Sequence, residues 1–103
     1  MRVPFSNAVD FAATNVRCLA VFPSLLMNWL PTGRIEGREW VALNPTRHDR
    51  NLGSFKIHMD KGCWADFATG ESGRDPVSLY AYLNGLSQVA AARALNGQFG
   101  GES

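Results

Sequence analysis

The chain has 103 residues, 46% of them apolar and 18% charged, with a formal net charge of +1. That length suits one domain with a modest core. The near-neutral balance excludes a uniformly basic nucleic-acid binder, so any phosphate contact must come from local placement of charge. The basic residues are 8 Arg and 2 Lys. This bias is open between codon usage in a GC-rich genome and a use for planar, bidentate contacts. Cys18 and Cys63 form no CxxC and are too few for a secreted disulfide scaffold, so they read as reduced thiols of a cytoplasmic protein.

In chain order, residues 1–16 show no clear period and read as a loose arm or a short helix. Residues 18–30, CLAVFPSLLMNWL, are apolar but too short to span a bilayer. As the core of a leader peptide they start late, follow Asp10 and contain Pro23. A helix is predicted over 23–30, with Ser24 as its cap, Leu25, Leu26, Trp29 and Leu30 at helical spacing, and Pro31 ending it. TGRIEGRE reads as a charged turn and WVAL, 40–43, as a short strand. NPTRHDRNLG is a polar loop. SFKIH alternates Phe55 and Ile57 with Lys56 and His58, MDKG turns, and CWADF returns, which predicts a hairpin over 54–67. Phe55, Ile57 and Phe67 are assigned to the core. ATGESGRD reads as a loop whose Gly70 and Gly73 permit backbone turns. Asp75 then Pro76 marks a helix start, and Gly85 a helix end. Ser87 caps a last helix that Asn96-Gly97 ends, before a frayed tail. The expected architecture is α+β, with a small antiparallel three-stranded sheet flanked by two or three short helices.

The stretch 40–95 resembles the zinc-ribbon domain at the N-terminus of bacterial, phage and plasmid DNA primases. In that family a Cys-Pro-x-His knuckle precedes a Ser-Phe strand start, then a turn with Gly and an aromatic, a Cys-Phe-x-Cys-Gly knuckle, Gly-Gly-Asp, and two helices. The corresponding residues are Asn44-Pro45-Thr46-Arg47, Ser54-Phe55, Lys61, Gly62 and Trp64, Asp66-Phe67-Ala68-Thr69-Gly70, Gly73-Arg74-Asp75, and the segments 76–83 and 86–95. The spacing from Phe55 to Gly70 agrees without a gap, and the first loop is about one residue longer than in the family pattern. The similarity is stronger to a metal-free branch in plasmid and phage primase–helicase proteins. By this resemblance, Asn44, Arg47, Asp66 and Thr69 stand where the family has Cys, His, Cys and Cys. Arg cannot ligate zinc, and the set lacks thiolate and imidazole, so neither metal nor other cofactor is expected. In place of the metal, Arg47 is predicted to pair with Asp66, with Asn44 and Thr69 adding neutral hydrogen bonds.

The resemblance implies contact with single-stranded DNA in replication of a phage, plasmid or other mobile element. Such contact uses exposed aromatics and Arg or Lys along the backbone. The candidate nucleic-acid-binding residues are Arg50, Arg47, His48, Lys56, His58, Trp64, Arg38 and Arg74, with Trp40 considered beside them. Trp64 is open between a packed platform and a stacking surface. Arg47 cannot serve fully both as a structural pair and as a phosphate ligand, so Arg50 is the better binding candidate. No catalytic set is visible, because the acids are scattered singly, and the chain is read as non-catalytic. TGESGRD lacks the Gly-Lys-Ser/Thr of a nucleotide loop. The expected organisation is an arm and apolar helix over 1–39, the ribbon over 40–97 and a flexible tail over 98–103. A rival reading keeps the ribbon but has it bind protein: a helicase, a primase core, a host factor, or a second copy through residues 18–30. A third reading is an inactive remnant. No membrane partner is expected.

Overall fold

The computed structural model describes residues 9–99. Among these residues, four helices and a five-stranded antiparallel sheet follow in the order α1 (Phe11–Ala20), α2 (Phe22–Trp29), β1 (Arg34–Glu36), β2 (Glu39–Ala42), β3 (Phe55–His58), β4 (Trp64–Asp66), β5 (Glu71–Gly73), α3 (Pro76–Asn84) and α4 (Gln88–Gln98). The sheet runs β1-β2-β3-β4-β5, so every connection is between neighbours. The α+β class is as expected, but the sheet has five strands rather than three and there are four helices rather than two or three. The additional strands, β1 and β5, lie in stretches whose sequence reads as a charged turn and a loop. Each is three residues long and almost wholly exposed, so neither carries the alternation that marks a strand.

The central hairpin follows its pattern. In β3, Phe55 and Ile57 are buried while Lys56 and His58 are half-buried. The registers Ile57↔Trp64 and Trp40↔Ile57 align a row of large side chains on the inner face, toward the helices. Phe22, Leu26, Leu30 and Leu79 cover that row with Trp40, Phe55, Ile57 and Trp64 to form the main core. Both indoles are satisfied: Trp40 Nε1 donates to Leu30 O at 3.1 Å and Trp64 Nε1 to Ser78 Oγ at 3.0 Å. A second cluster joins Cys18 to Val77, Ala81, Ala91, Ala92 and Leu95. The segment expected as a loose arm or short helix thus contributes to the core through α1, and the predicted apolar helix does so through α2. Much of the apolar run 18–30 is spent inward: Cys18, Phe22, Leu26 and Leu30 are buried, and its exposed large apolar side chains are Val21 and Met27.

The helix ends show which local signals were decisive. Asp10 caps α1 by accepting from Ala13 N at 2.9 Å. Ser24 does not cap α2, because the helix begins earlier, after Val21, and has no side-chain cap. Asp75 caps α3 in a capping box with Ser78, Pro76 opens it, and Gly85 closes it in the left-handed conformation. Ser87 caps α4 as predicted. Asn96-Gly97 does not end α4, which continues to Gln98. Tertiary ties override the weak propensity there: Asn96 Oδ1 accepts from Thr14 Oγ1 at 3.2 Å and Arg17 Nη1 at 3.3 Å. Within the predicted tail, Gln98 Nε2 donates to Tyr80 OH at 3.0 Å and Arg17 stands over the Phe99 ring. Residues 100–103, with 1–8, lie outside the described residues.

The two loop glycines act differently. Gly70 sits at φ +84° and permits a turn. Gly73 has no such conformation; a Cβ there would run into Trp64 Nε1 and Ser78 Oγ. Its role is close approach, not turning.

Candidate functional site

The loop after β2, the end of β4 and the middle of α3 meet at one polar junction. Asp66 ends β4 with its carboxylate wholly buried. Alternation points it inward with Trp64, where it would be an unpaired buried charge unless donors surround it. Four donors do. Oδ2 accepts from Asn44 Nδ2 at 2.7 Å and Arg47 Nε at 2.8 Å. Oδ1 accepts from Arg47 Nη2 at 3.2 Å and Ala68 N at 2.9 Å. Arg47 therefore grips the carboxylate with two parallel bonds, the fork geometry that only guanidinium offers. Its Nη2 also donates to Ser54 Oγ at 2.9 Å and lies 3.4 Å from Asp49 Oδ2.

Asn44 is buried with every amide bond used. Besides Asp66, its Nδ2 donates to Tyr82 OH at 2.8 Å, and its Oδ1 accepts from Thr46 N at 2.9 Å and Thr46 Oγ1 at 2.7 Å. Its backbone N–H donates to Asp49 Oδ2 at 2.9 Å. Tyr82 OH in turn donates to Glu71 Oε1 at 2.7 Å. The Arg47 bonds, outweighing the desolvation that opposes them, hold the Asp66 carboxyl down at about 2, with Asn44 and the Ala68 N–H assisting. Pairing with Asp66 likewise raises the Arg47 guanidinium above its ordinary value.

Of the four positions that the resemblance sets against metal ligands, three converge: Asn44, Arg47 and Asp66. The Thr69 side chain is exposed and bonds locally, accepting from Glu71 N at 3.3 Å, so it does not reach Asp66. The set does not fit zinc, because Arg47 has no lone pair to offer and the Asp66 oxygens are filled by donors. Among the described residues, no group of three or more His, Cys, Asp or Glu side chains could hold a metal ion. The junction joins loops. Asp49, Ser54 and Tyr82 are members that the sequence did not single out. Tyr82 carries no local signal, since only the packing of α3 brings its hydroxyl to Asn44.

The other feature is the outer face of the sheet, opposite the helices. Glu39, Lys56, His58, Cys63, Trp64, Ala65 and Phe67 line a shallow groove of about 280 Å³ there. The sequence pattern predicts a core position for Phe67, but it is 72% exposed. Buried Trp64 and Asp66 fix the phase of β4, so residue 67 must turn outward. Trp64, by contrast, is 5% exposed, 4.7 Å from the Tyr82 ring and 6.2 Å from Phe55, which removes it as a stacking surface. Trp40 is buried as well. The structure thus resolves Trp64 as a packed platform and overturns the core assignment of Phe67, which follows β4.

Lys56 Nζ stands 4.0 Å from Glu39 Oε1 across the strand pair. His58 Nδ1 accepts from Asp60 N at 3.2 Å and Lys61 N at 3.1 Å, which fixes the ring. Of the remaining candidates, Arg38 pairs with Asp60 at 2.7 Å at the turn end of the sheet. His48, Arg50 and Arg74 are exposed but do not line the groove. Among the described residues no helix is long and apolar enough to cross a membrane. Comparison with protein-family models, with curated proteins and with solved structures finds no match.

Proposed function

We propose that the chain is a metal-free, ribbon-like module of the primase type that contacts single-stranded DNA and performs no chemistry itself. The observation that carries this reading is Phe67, 72% exposed on an open sheet face that also holds Lys56 and His58. An aromatic face beside a cation is the arrangement that stacks a base and holds its phosphate. The polar junction supports the ribbon part of the reading. Asn44, Arg47 and Asp66 tie together the two loops that a metal ion joins in a zinc ribbon. Arg47 is committed to Asp66, which favours exposed Arg50 over it as a further phosphate contact.

The protein-binding alternative depends on surplus exposed Leu and Trp in residues 18–30. Leu26 and Leu30 are buried, and Trp29 packs against Phe22 and Tyr80, so little of that surface is available. The nucleic-acid reading is tested by anisotropy titration with a labelled single-stranded oligonucleotide at two salt concentrations. Binding is expected to fall with salt, and Phe67→Ala to weaken it roughly tenfold. Lys56→Ala should weaken it less and flatten the salt slope by about one phosphate contact. No binding by the wild-type chain at micromolar protein and low salt would sink the reading.

A further inference from the structure

The free edge of β1 is complementary to itself. Strand β1 ends the sheet among the described residues, pairing with β2 on one side only. The direction of its remaining edge follows from the ladder. Met59 N donates to Arg38 O at 2.9 Å, so alternate residues of β2, Trp40 and Ala42 among them, direct their backbone groups toward β3. Glu39 and Val41 then turn theirs toward β1, where they face Glu36 and Arg34. Ile35 lies between those two, so its N–H and C=O point away from the sheet, and its side chain is 61% exposed. Edges of this kind invite another strand unless something blocks them.

We infer that β1 pairs antiparallel with β1 of a second copy, centred on Ile35. In that register the two Ile35 residues exchange both backbone hydrogen bonds and set their side chains against each other. Arg34 then faces Glu36 of the second copy, and Glu36 faces its Arg34. Within one chain these two side chains already pair at 2.8 Å, on the outer face of the sheet and largely exposed. In the dimer they exchange equivalent partners across the two-fold axis. The register is specific. Sliding the strands by two residues sets Arg34 against Arg34 in one direction and Glu36 against Glu36 in the other, and like charges directly opposite are unfavourable. Charge that usually protects an edge strand here selects one partner and one alignment. The pairing differs from the dimer through residues 18–30 and does not depend on the nucleic-acid reading.

A three-residue edge buries less than a standard interface, so association is weak and concentration-dependent. Sedimentation equilibrium of the full chain across a concentration series reads it directly. The wild-type mass should climb from the 11.3 kDa of one chain toward twice that value. Arg34→Glu leaves two acids flanking Ile35, and Glu36→Arg leaves two bases. Each single variant should associate at least about fivefold more weakly than wild type. An equimolar mixture of the two should regain dimer, because each then presents the charges the other lacks. The Arg34→Glu/Glu36→Arg double variant, which keeps complementarity with both signs reversed, should dimerise like wild type. The altered side chains are exposed, and circular dichroism verifies that each variant folds. A wild-type chain that stays monomeric throughout overturns the proposal. So do single variants that associate as wild type, and a mixture that fails to dimerise.

Discussion

The two ends of the central hairpin each carry an Arg–Asp pair, and the pairs are almost the same length. At the turn end Arg38 meets Asp60 at 2.7 Å; at the opposite end Arg47 meets Asp66 at 2.8 Å. Their surroundings differ completely. The Arg38 and Asp60 side chains are 78% and 56% exposed, whereas the Asp66 side chain is wholly buried. Water solvates and screens the first pair, so its partners lose little when separated. Asp66 has only its protein donors, so removing one leaves a buried charge uncompensated. Distance alone does not rank these contacts; the alternative available to each group does.

The comparison is broken most directly by Arg47→Ala. The largest fall in Tm is expected here, on the order of 10 °C, because Asp66 keeps its burial and loses its counter-charge. An unchanged Tm would remove the junction as the element that holds the two loops together. Asn44→Ala comes next, at about 2–3 kcal/mol by denaturant unfolding, since Asp66 and Tyr82 each lose a buried donor. Acid sharpens the contrast. The Asp66 carboxyl lies near 2 in the folded chain, against ~3.9 when unfolded. The lower folded value means that ionised Asp66 stabilises the fold fully above about pH 5, and that this contribution is lost as pH falls from there toward 2. The Tm gap between wild type and Arg47→Ala should therefore be full at pH 6 and shrink across that window. The smallest effect belongs to the turn end, where Arg38→Ala should cost about 0.5 kcal/mol or less by denaturant unfolding.

Cysteine reactivity offers a separate contrast. Burial, with Asp75 adding to it, pushes the Cys18 thiol up to about 11, while Cys63 is half-buried at the outer groove. Alkylation of the native chain should label Cys63 well before Cys18, by mass spectrometry over time.

Much of the fold was legible wherever a signal is local. Asp75-Pro76 fixes a helix start because a capping carboxylate and a preset φ need no distant partner. Alternation over Phe55–His58 fixes which side chains face inward. The expected resemblance to a primase ribbon pairs Arg47 with Asp66, and these two side chains do bond. What escaped were features without periodicity, such as the three-residue strands β1 and β5, and features set by another element, such as α4 running past Asn96-Gly97.

Phe67 separates the two kinds of information. Its composition argues for the core, and one residue of the strand decides against it. The sequence by itself determined that Trp64 and Phe67 lie on opposite faces, because a strand alternates. Only the tertiary structure decided which face is inside. Asp66 can be buried only where Arg47, Asn44 and the Ala68 N–H reach it, and that carries Trp64 inward with it and leaves Phe67 in solvent.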